Sequence, residues 1–259
     1  MARVISLVNQ KGGVGKTTTA VNLATYLASS GKPTLLVDLD PQGNASSGLG
    51  LDVQSLEKSL YHSLVLKVHP REVMVKSKSI ELSLLPSNQD LSGAAVELSD
   101  IENREFQLRS LIKELRNDFD YIIIDSPPSL GLLTVNGLAA SDEVLIPVQT
   151  EYFALEGLGQ LLNTIDLVKN NLHPSLEING IVLTLFDRRN KLARQVVNEV
   201  RNYFSGNVFN AVIPRTVRLA EAPSFGKSIL DFDRFSKGGR AYRQLAKEII
   251  AQEKEYKRK

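Results

Sequence analysis

The sequence of 259 residues contains no cysteine. That absence excludes disulfides, thiolate metal sites and cysteine-ligated iron–sulfur clusters, and makes redox chemistry an unsuitable reading. No run of eighteen apolar residues occurs and no signal-peptide pattern opens the chain, so a cytoplasmic protein without a membrane span is expected. Internal repeats, low-complexity tracts and Pro/Gly/Ser linkers are also missing. With 42% apolar residues, the chain can bury one large core, which predicts a single domain over 1–259.

The net charge of +2 conceals an asymmetry. Residues 1–180 carry 14 Lys/Arg against 21 Asp/Glu, whereas residues 181–259 carry 17 against 8. The C-terminal part is therefore suited to an anionic partner, although basic residues also serve simply to solvate surface helices.

Short β-branched, apolar runs at Val4–Val8, Thr34–Val37, Ile80–Leu85, Tyr121–Ile124, Val144–Val148, Ile178–Leu185 and Val208–Ile213 predict strands. Helical patterns lie between them at Thr17–Ser29, Ile101–Arg116, Leu155–Asn170, Leu192–Phe204 and Ala241–Glu253. Most of the strand runs are too continuous for a half-exposed sheet. The alternation predicts an α/β fold, a doubly wound and mostly parallel sheet flanked by helices, with its sites beyond the carboxyl ends of the strands. Residues 41–78 are the least regular, with a short helical pattern around Leu56–Leu66.

After the first strand comes Lys11-Gly12-Gly13-Val14-Gly15-Lys16-Thr17-Thr18, followed directly by an amphipathic helix. A strand, a glycine-rich loop and a helix form the context in which backbone N–H groups can cradle phosphate oxygens at a helix N-terminus. Lys16 is placed to reach the β- and γ-phosphates of ATP, and the Thr17 hydroxyl to ligate Mg²⁺. The usual pattern has a glycine where Gln10 stands, and Lys11 supplies a second lysine that an ordinary phosphate loop lacks. The second strand ends in Asp38-Leu39-Asp40-Pro41. A carboxylate there can orient the attacking water, and Asp38 alternatively helps to hold Mg²⁺ or the loop. Tyr121-Ile122-Ile123-Ile124-Asp125 is an apolar strand ending in a carboxylate, which points to Asp125 as the Mg²⁺ residue, with Pro127 and Pro128 stiffening the turn that follows.

The loop KGGVGKT is the deviant Walker A pattern, and here the sequence resembles the ParA/MinD family of P-loop ATPases. The likeness extends to Ile213-Pro214-Arg215-Thr216-Val217-Arg218-Leu219, to Leu85-Pro86-Ser87-Asn88 and to Gly131-Leu132-Leu133-Thr134, and is strongest to the ParA/Soj branch. The resemblance implies an ATP-dependent homodimer in which Lys11 reaches across to the partner subunit's nucleotide. It also implies hydrolysis through Asp40 and an adenine pocket at Pro214 and Thr216 with Arg215 nearby, Thr216 standing where the family usually has asparagine.

The same likeness implies nonspecific binding to double-stranded DNA, with Arg189 the leading residue and Arg188, Arg218, Lys227 and Arg240 as further candidates. It further implies nucleoid association and a ParB/Spo0J-type centromere-binding partner that stimulates hydrolysis. With the loop starting at residue 11, no N-terminal helix-turn-helix domain is expected. Two rival readings stand beside this one. A MinD-like membrane ATPase would need an apolar face in the tail 251–259, which offers only Ala251 and Tyr256, while Tyr242, Leu245, Ile249 and Ile250 read as a docking face. A non-hydrolysing scaffold is disfavoured by the joint presence of Lys16, Asp40 and Asp125.

Overall fold

A computed structural model of the chain describes residues 1–77, 80–151 and 154–256, with the backbone alone for 154–156, 254 and 255. The end of the tail on which the membrane reading turned, 257–259, lies outside the described residues. Eight strands make one sheet: β1 (Arg3–Leu7), β2 (Thr34–Asp38), β3 (Val75–Lys76), β4 (Leu82–Leu85), β5 (Tyr121–Asp125), β6 (Glu143–Gln149), β7 (Glu177–Phe186) and β8 (Val208–Pro214). Their order is β3-β4-β2-β5-β1-β6-β7-β8. Every neighbour pair is parallel except β3 with β4. β3 is the one strand that no apolar run announces, a two-residue edge piece within the irregular stretch.

The continuous apolar runs are explained by burial on both faces. Successive residues of a strand point to opposite sides. Ile5, Leu7, Leu36 and Ile123 thus join the core beneath α1 (Lys16–Ser29) and the helix Lys237–Ala251. Val4, Leu35, Val37, Ile122 and Ile124 join the core beneath the helix Gln107–Leu115 on the other side. A third cluster fills the space between β6, β7 and the helices Ala154–Asn171 and Lys191–Tyr203. Tyr242, Leu245 and Ile249 are buried against α1, the docking role expected for that helical face. Among the described residues no helix is long and apolar enough to cross a membrane.

The chain lays β2 to β5 on one side of β1 and β6 to β8 on the other. The carboxyl end of β1 is therefore the switch point of the sheet, where parallel α/β folds open a crevice.

Candidate functional site

The loop 11–15 leaves β1 at that switch point. Gly13 (φ 73°) and Gly15 (φ 86°) both take left-handed backbone conformations that a side chain would strain, and this turns the loop back over the sheet. Gly15 is the residue preceding α1; no side chain caps that helix and no acidic residue lies in its first turn. The first N–H groups of α1 are left for a ligand to satisfy, and the helix adds positive potential at the same point.

Two buried side chains fix the loop from below. Asn9 donates from Nδ2 to the Pro147 carbonyl at 2.7 Å and accepts the Lys11 N–H at 3.0 Å. Thr184, at the end of β7, donates its hydroxyl to the Val14 carbonyl at 2.7 Å. Neither is legible in the sequence as a loop support, because the contacts of Asn9 with Pro147 and of Thr184 with Val14 exist only once the sheet has formed.

Lys16 begins α1 and is buried, with its Nζ 3.4 Å from the Lys11 carbonyl. Burial pushes its ammonium below the usual lysine range, opposed by the charges of Asp125 and Asp40. Lys11 is exposed, and its Nζ lies 3.5 Å from Glu151 of the same chain. Register brings the carboxylates alongside: Asp125 pairs with Leu7 on one side and Asp38 on the other. The structure therefore gathers Lys16, Asp38, Asp40 and Asp125, read from three separate segments, around the phosphate loop.

The three acids differ in surroundings. Asp38 is fully buried and accepts Ser46 N–H at 2.8 Å, Ser46 Oγ–H at 2.7 Å and Asp40 N–H at 3.3 Å; burial still pushes it up to about 6. Of the two roles open to it, holding the loop is the one its contacts fill. Asp40 is nearly buried at the crevice, with Oδ1 accepting the Gln42 N–H at 3.0 Å. Asp125 is fully buried, and neither of its carboxylate oxygens has a hydrogen bond of normal geometry. Burial, then the charge of Asp38, drives it well above the ordinary range, with Thr17 and Lys16 pulling the other way.

An unpartnered buried carboxylate beside a threonine hydroxyl fits Mg²⁺, which prefers one or two protein oxygens and completes its shell with phosphates and water. Two cavities of about 350 and 340 Å³ lie elsewhere, beside Met74 and beside Asn179.

Asp125 gives a pH test. Its folded pKa is raised, so the folded chain holds this proton more tightly than the unfolded chain, whose carboxyl titrates at about pH 4. Stability owed to the group is present below that pH and is lost as pH rises through the folded value. Asp125→Asn is accordingly expected to raise the Tm of the nucleotide-free protein at pH 8 by a few degrees, about 2–4 °C per kcal/mol for this size. At pH 5 the gain should shrink. Thermal unfolding of both proteins from pH 5 to 8 checks this, and a variant less stable at every pH contradicts it.

Pro214 lies opposite Phe186, two residues beyond Thr184, so the segment Pro214–Thr216 stands at the side of the phosphate loop. Arg215 is exposed and donates its N–H to the Phe186 carbonyl, and the Thr216 hydroxyl caps the helix Val217–Glu221 by accepting Leu219 N–H at 3.3 Å. The Thr216 hydroxyl is thus occupied locally, and the Arg215 N–H is taken by the sheet.

Of the basic candidates, Arg188, Arg189 and Lys227 lie on loops, Arg218 in the helix Val217–Glu221 and Arg240 in the first turn of the helix Lys237–Ala251. Arg188 and Arg189 follow β7, where Leu185 adopts φ 52°, a strained value for a branched side chain. Arg189 is 87% exposed in its side chain and grips Asp187 of its own loop through Nε at 3.0 Å and an Nη at 2.8 Å, which brings that carboxyl down to about 2. Arg218 is tied to Glu221 and Asp233 and lies over the Phe232 ring. Lys227 and Arg240 are exposed.

The family model described as "AAA domain" matches residues 2–178. The chain is 53% identical over 250 residues to the chromosome partitioning protein ParA of Myxococcus xanthus, covering 96% of this chain and 88% of that one. It is 51% identical over 253 residues to the chromosome-partitioning ATPase Soj of Treponema pallidum, covering 98% and 99% respectively. Among solved structures, cobyrinic acid a,c-diamide synthase from Mycobacterium smegmatis with bound ADP and magnesium superposes with a TM-score of 0.87 at 39% identity, covering 98% of this chain and 96% of that one. With the deviant phosphate loop, the two strand-end acids and near-full-length identity of about one half all in agreement, the chain belongs to the ParA/Soj family of chromosome-partitioning ATPases.

Proposed function

We propose that this chain is an Mg²⁺-dependent ATPase that pairs with a second copy around two ATP molecules, binds double-stranded DNA without sequence preference in that state, and is released when a ParB/Spo0J-type partner stimulates hydrolysis. The observation that carries the nucleotide chemistry is the opposition of a buried ammonium, Lys16, to a buried carboxylate that no hydrogen bond of normal geometry satisfies, Asp125, at an uncapped helix N-terminus. Each group is costly where it stands, and a triphosphate with its metal satisfies both. Mg²⁺, when bound, neutralises charge on the phosphates. Lys16 then holds the β- and γ-phosphate oxygens, the α1 N–H groups orient them, and Asp40 positions the attacking water and accepts its proton.

The Lys11 ammonium is engaged by Glu151, outside its own subunit's phosphate loop. Its pairing with Glu151 involves two groups that are each nearly half exposed, and such surface pairs contribute about 0–1 kcal/mol. The ammonium is free to exchange Glu151 for the γ-phosphate of a second subunit, so hydrolysis becomes conditional on assembly, as with an arginine supplied in trans.

DNA binding follows from the basic loops. Each subunit of a two-fold dimer presents Arg188 and Arg189, and each phosphate neutralised steepens the dependence of log K on log salt by about 0.9. Arg189→Glu is expected to leave ATP-dependent dimerisation intact, lower DNA affinity at least tenfold, and reduce the salt slope by about 2 per dimer. Gel shifts on unrelated DNA fragments with ADP and with ATP, repeated across salt concentrations, provide the test. DNA binding that ignores the nucleotide, or an Arg189→Glu protein that binds normally, contradicts the proposal.

A further inference from the structure

Asp38 sits at the end of β2 with no solvent exposure, and the donors it collects come from the chain that follows it: Ser46 N–H and Oγ–H, and Asp40 N–H. Ser46 Oγ in turn accepts the Ser87 N–H at 3.0 Å, from the loop after β4. Gly43 (φ 61°) passes so near that loop that a Cβ there would lie 2.8 Å from the Ser87 carbonyl oxygen. Two loops that leave neighbouring strands are thereby joined through a single buried hydroxyl.

Asp40 lies between the two ends of this junction. Leu39 and Ala45 anchor the segment in the two cores at either end, but Pro41, Gln42 and Asn44 between them are half-buried or exposed and do not hold the Asp40 side chain in one direction. A pair of apolar side chains in place of Asp38 and Ser46 would hold the segment without desolvating a carboxylate. What the carboxylate adds is direction, because three donor vectors must converge on it. We propose that Asp38 and Ser46 are positioning residues for turnover: through the bridge to Ser87 they fix the path of residues 40–46, and so the place from which the Asp40 carboxylate meets the attacking water. This rests on the reading of Asp40 as the residue that handles that water.

Ser46→Ala removes the bond to Asp38 and the acceptor for Ser87 N–H, yet keeps the Ser46 N–H contact, so the loop remains tethered but loosened. A displacement of about 1 Å at a reacting group lowers rate on the order of a hundredfold, and kcat is therefore expected to fall by about 10–100-fold. The Kd for a fluorescent ATP analogue should stay within about threefold, since the phosphate loop is untouched. Asp40→Ala is measured in parallel. A Ser46→Ala protein with normal kcat beside an inactive Asp40→Ala protein overturns the positioning role and leaves Asp40 in place; normal turnover in both removes the Asp40 assignment as well. Loss of kcat and ATP affinity in equal proportion also overturns it, as that is the signature of general damage. Hydrogen exchange on the unmodified chain gives a second reading: the Ser46 and Ser87 amides should be as protected as those of β2, and exchange as fast as at the exposed Gln54 amide overturns the proposal.

Discussion

Lys16→Ala is expected to lower ATP affinity by about 10–200-fold, corresponding to the loss of one charge-assisted contact of about 1.5–3 kcal/mol, and to bring hydrolysis to background. The larger effect falls on turnover because the ammonium faces the phosphate on which negative charge grows, and preorganised charge in a water-poor site is worth about 10²–10³ in rate per donor. Nucleotide-dependent dimerisation and DNA binding should disappear with it. The fold should not. In the nucleotide-free chain Lys16 has one contact of 3.4 Å with a carbonyl and a desolvation cost that depresses its pKa, so its removal deletes little that holds the structure. Calorimetric titration with Mg²⁺–ATP, phosphate release and thermal unfolding separate these effects. Wild-type turnover by the variant contradicts the assigned role, and a collapse in Tm contradicts the account of its burial.

The same contrast explains which parts of the molecule the sequence discloses. The phosphate loop is legible because its chemistry is contiguous: glycines, lysine and threonine act where they stand in the chain. The strands of the parallel sheet are legible because burial on both faces forces unbroken apolar runs, as in Tyr121–Ile124. The helix Leu132–Ala140 has no such signature. It is buried nearly all round, so no amphipathic period survives. Its Asn136 is wholly internal, bonded to Leu108 N–H and the Arg104 carbonyl, and Gly137 packs against Ser6 and Ser126. Supports such as Asn9 on Pro147 and Thr184 on Val14 join residues 138 and 170 positions apart, a separation that no local pattern reports. Asp38 and Asp40 are indistinguishable as letters. Burial and the Ser46 contacts separate them.

Asp40→Ala should give the complementary phenotype, an ATP complex that forms and does not turn over. Loss of a group that orients water and accepts its proton lowers kcat by about 10²–10⁴-fold. Affinity for ATP should hold or rise, because the Asp40 carboxylate adds negative charge to a site already containing Asp38 and Asp125 and about to receive a triphosphate. The variant should therefore accumulate as an ATP-bound dimer on DNA, with salt dependence like that of the unmodified protein, since none of the basic loops is altered. Asp40→Asn sharpens the comparison: it keeps the shape and the Gln42 N–H acceptor but cannot take a proton, so it should be as inactive as the alanine variant if proton transfer is limiting. If it instead retains much of the wild-type rate, Asp40 acts by orienting water alone. Wild-type hydrolysis by Asp40→Ala would move the reaction away from this carboxylate altogether, and single-turnover phosphate release decides among these outcomes.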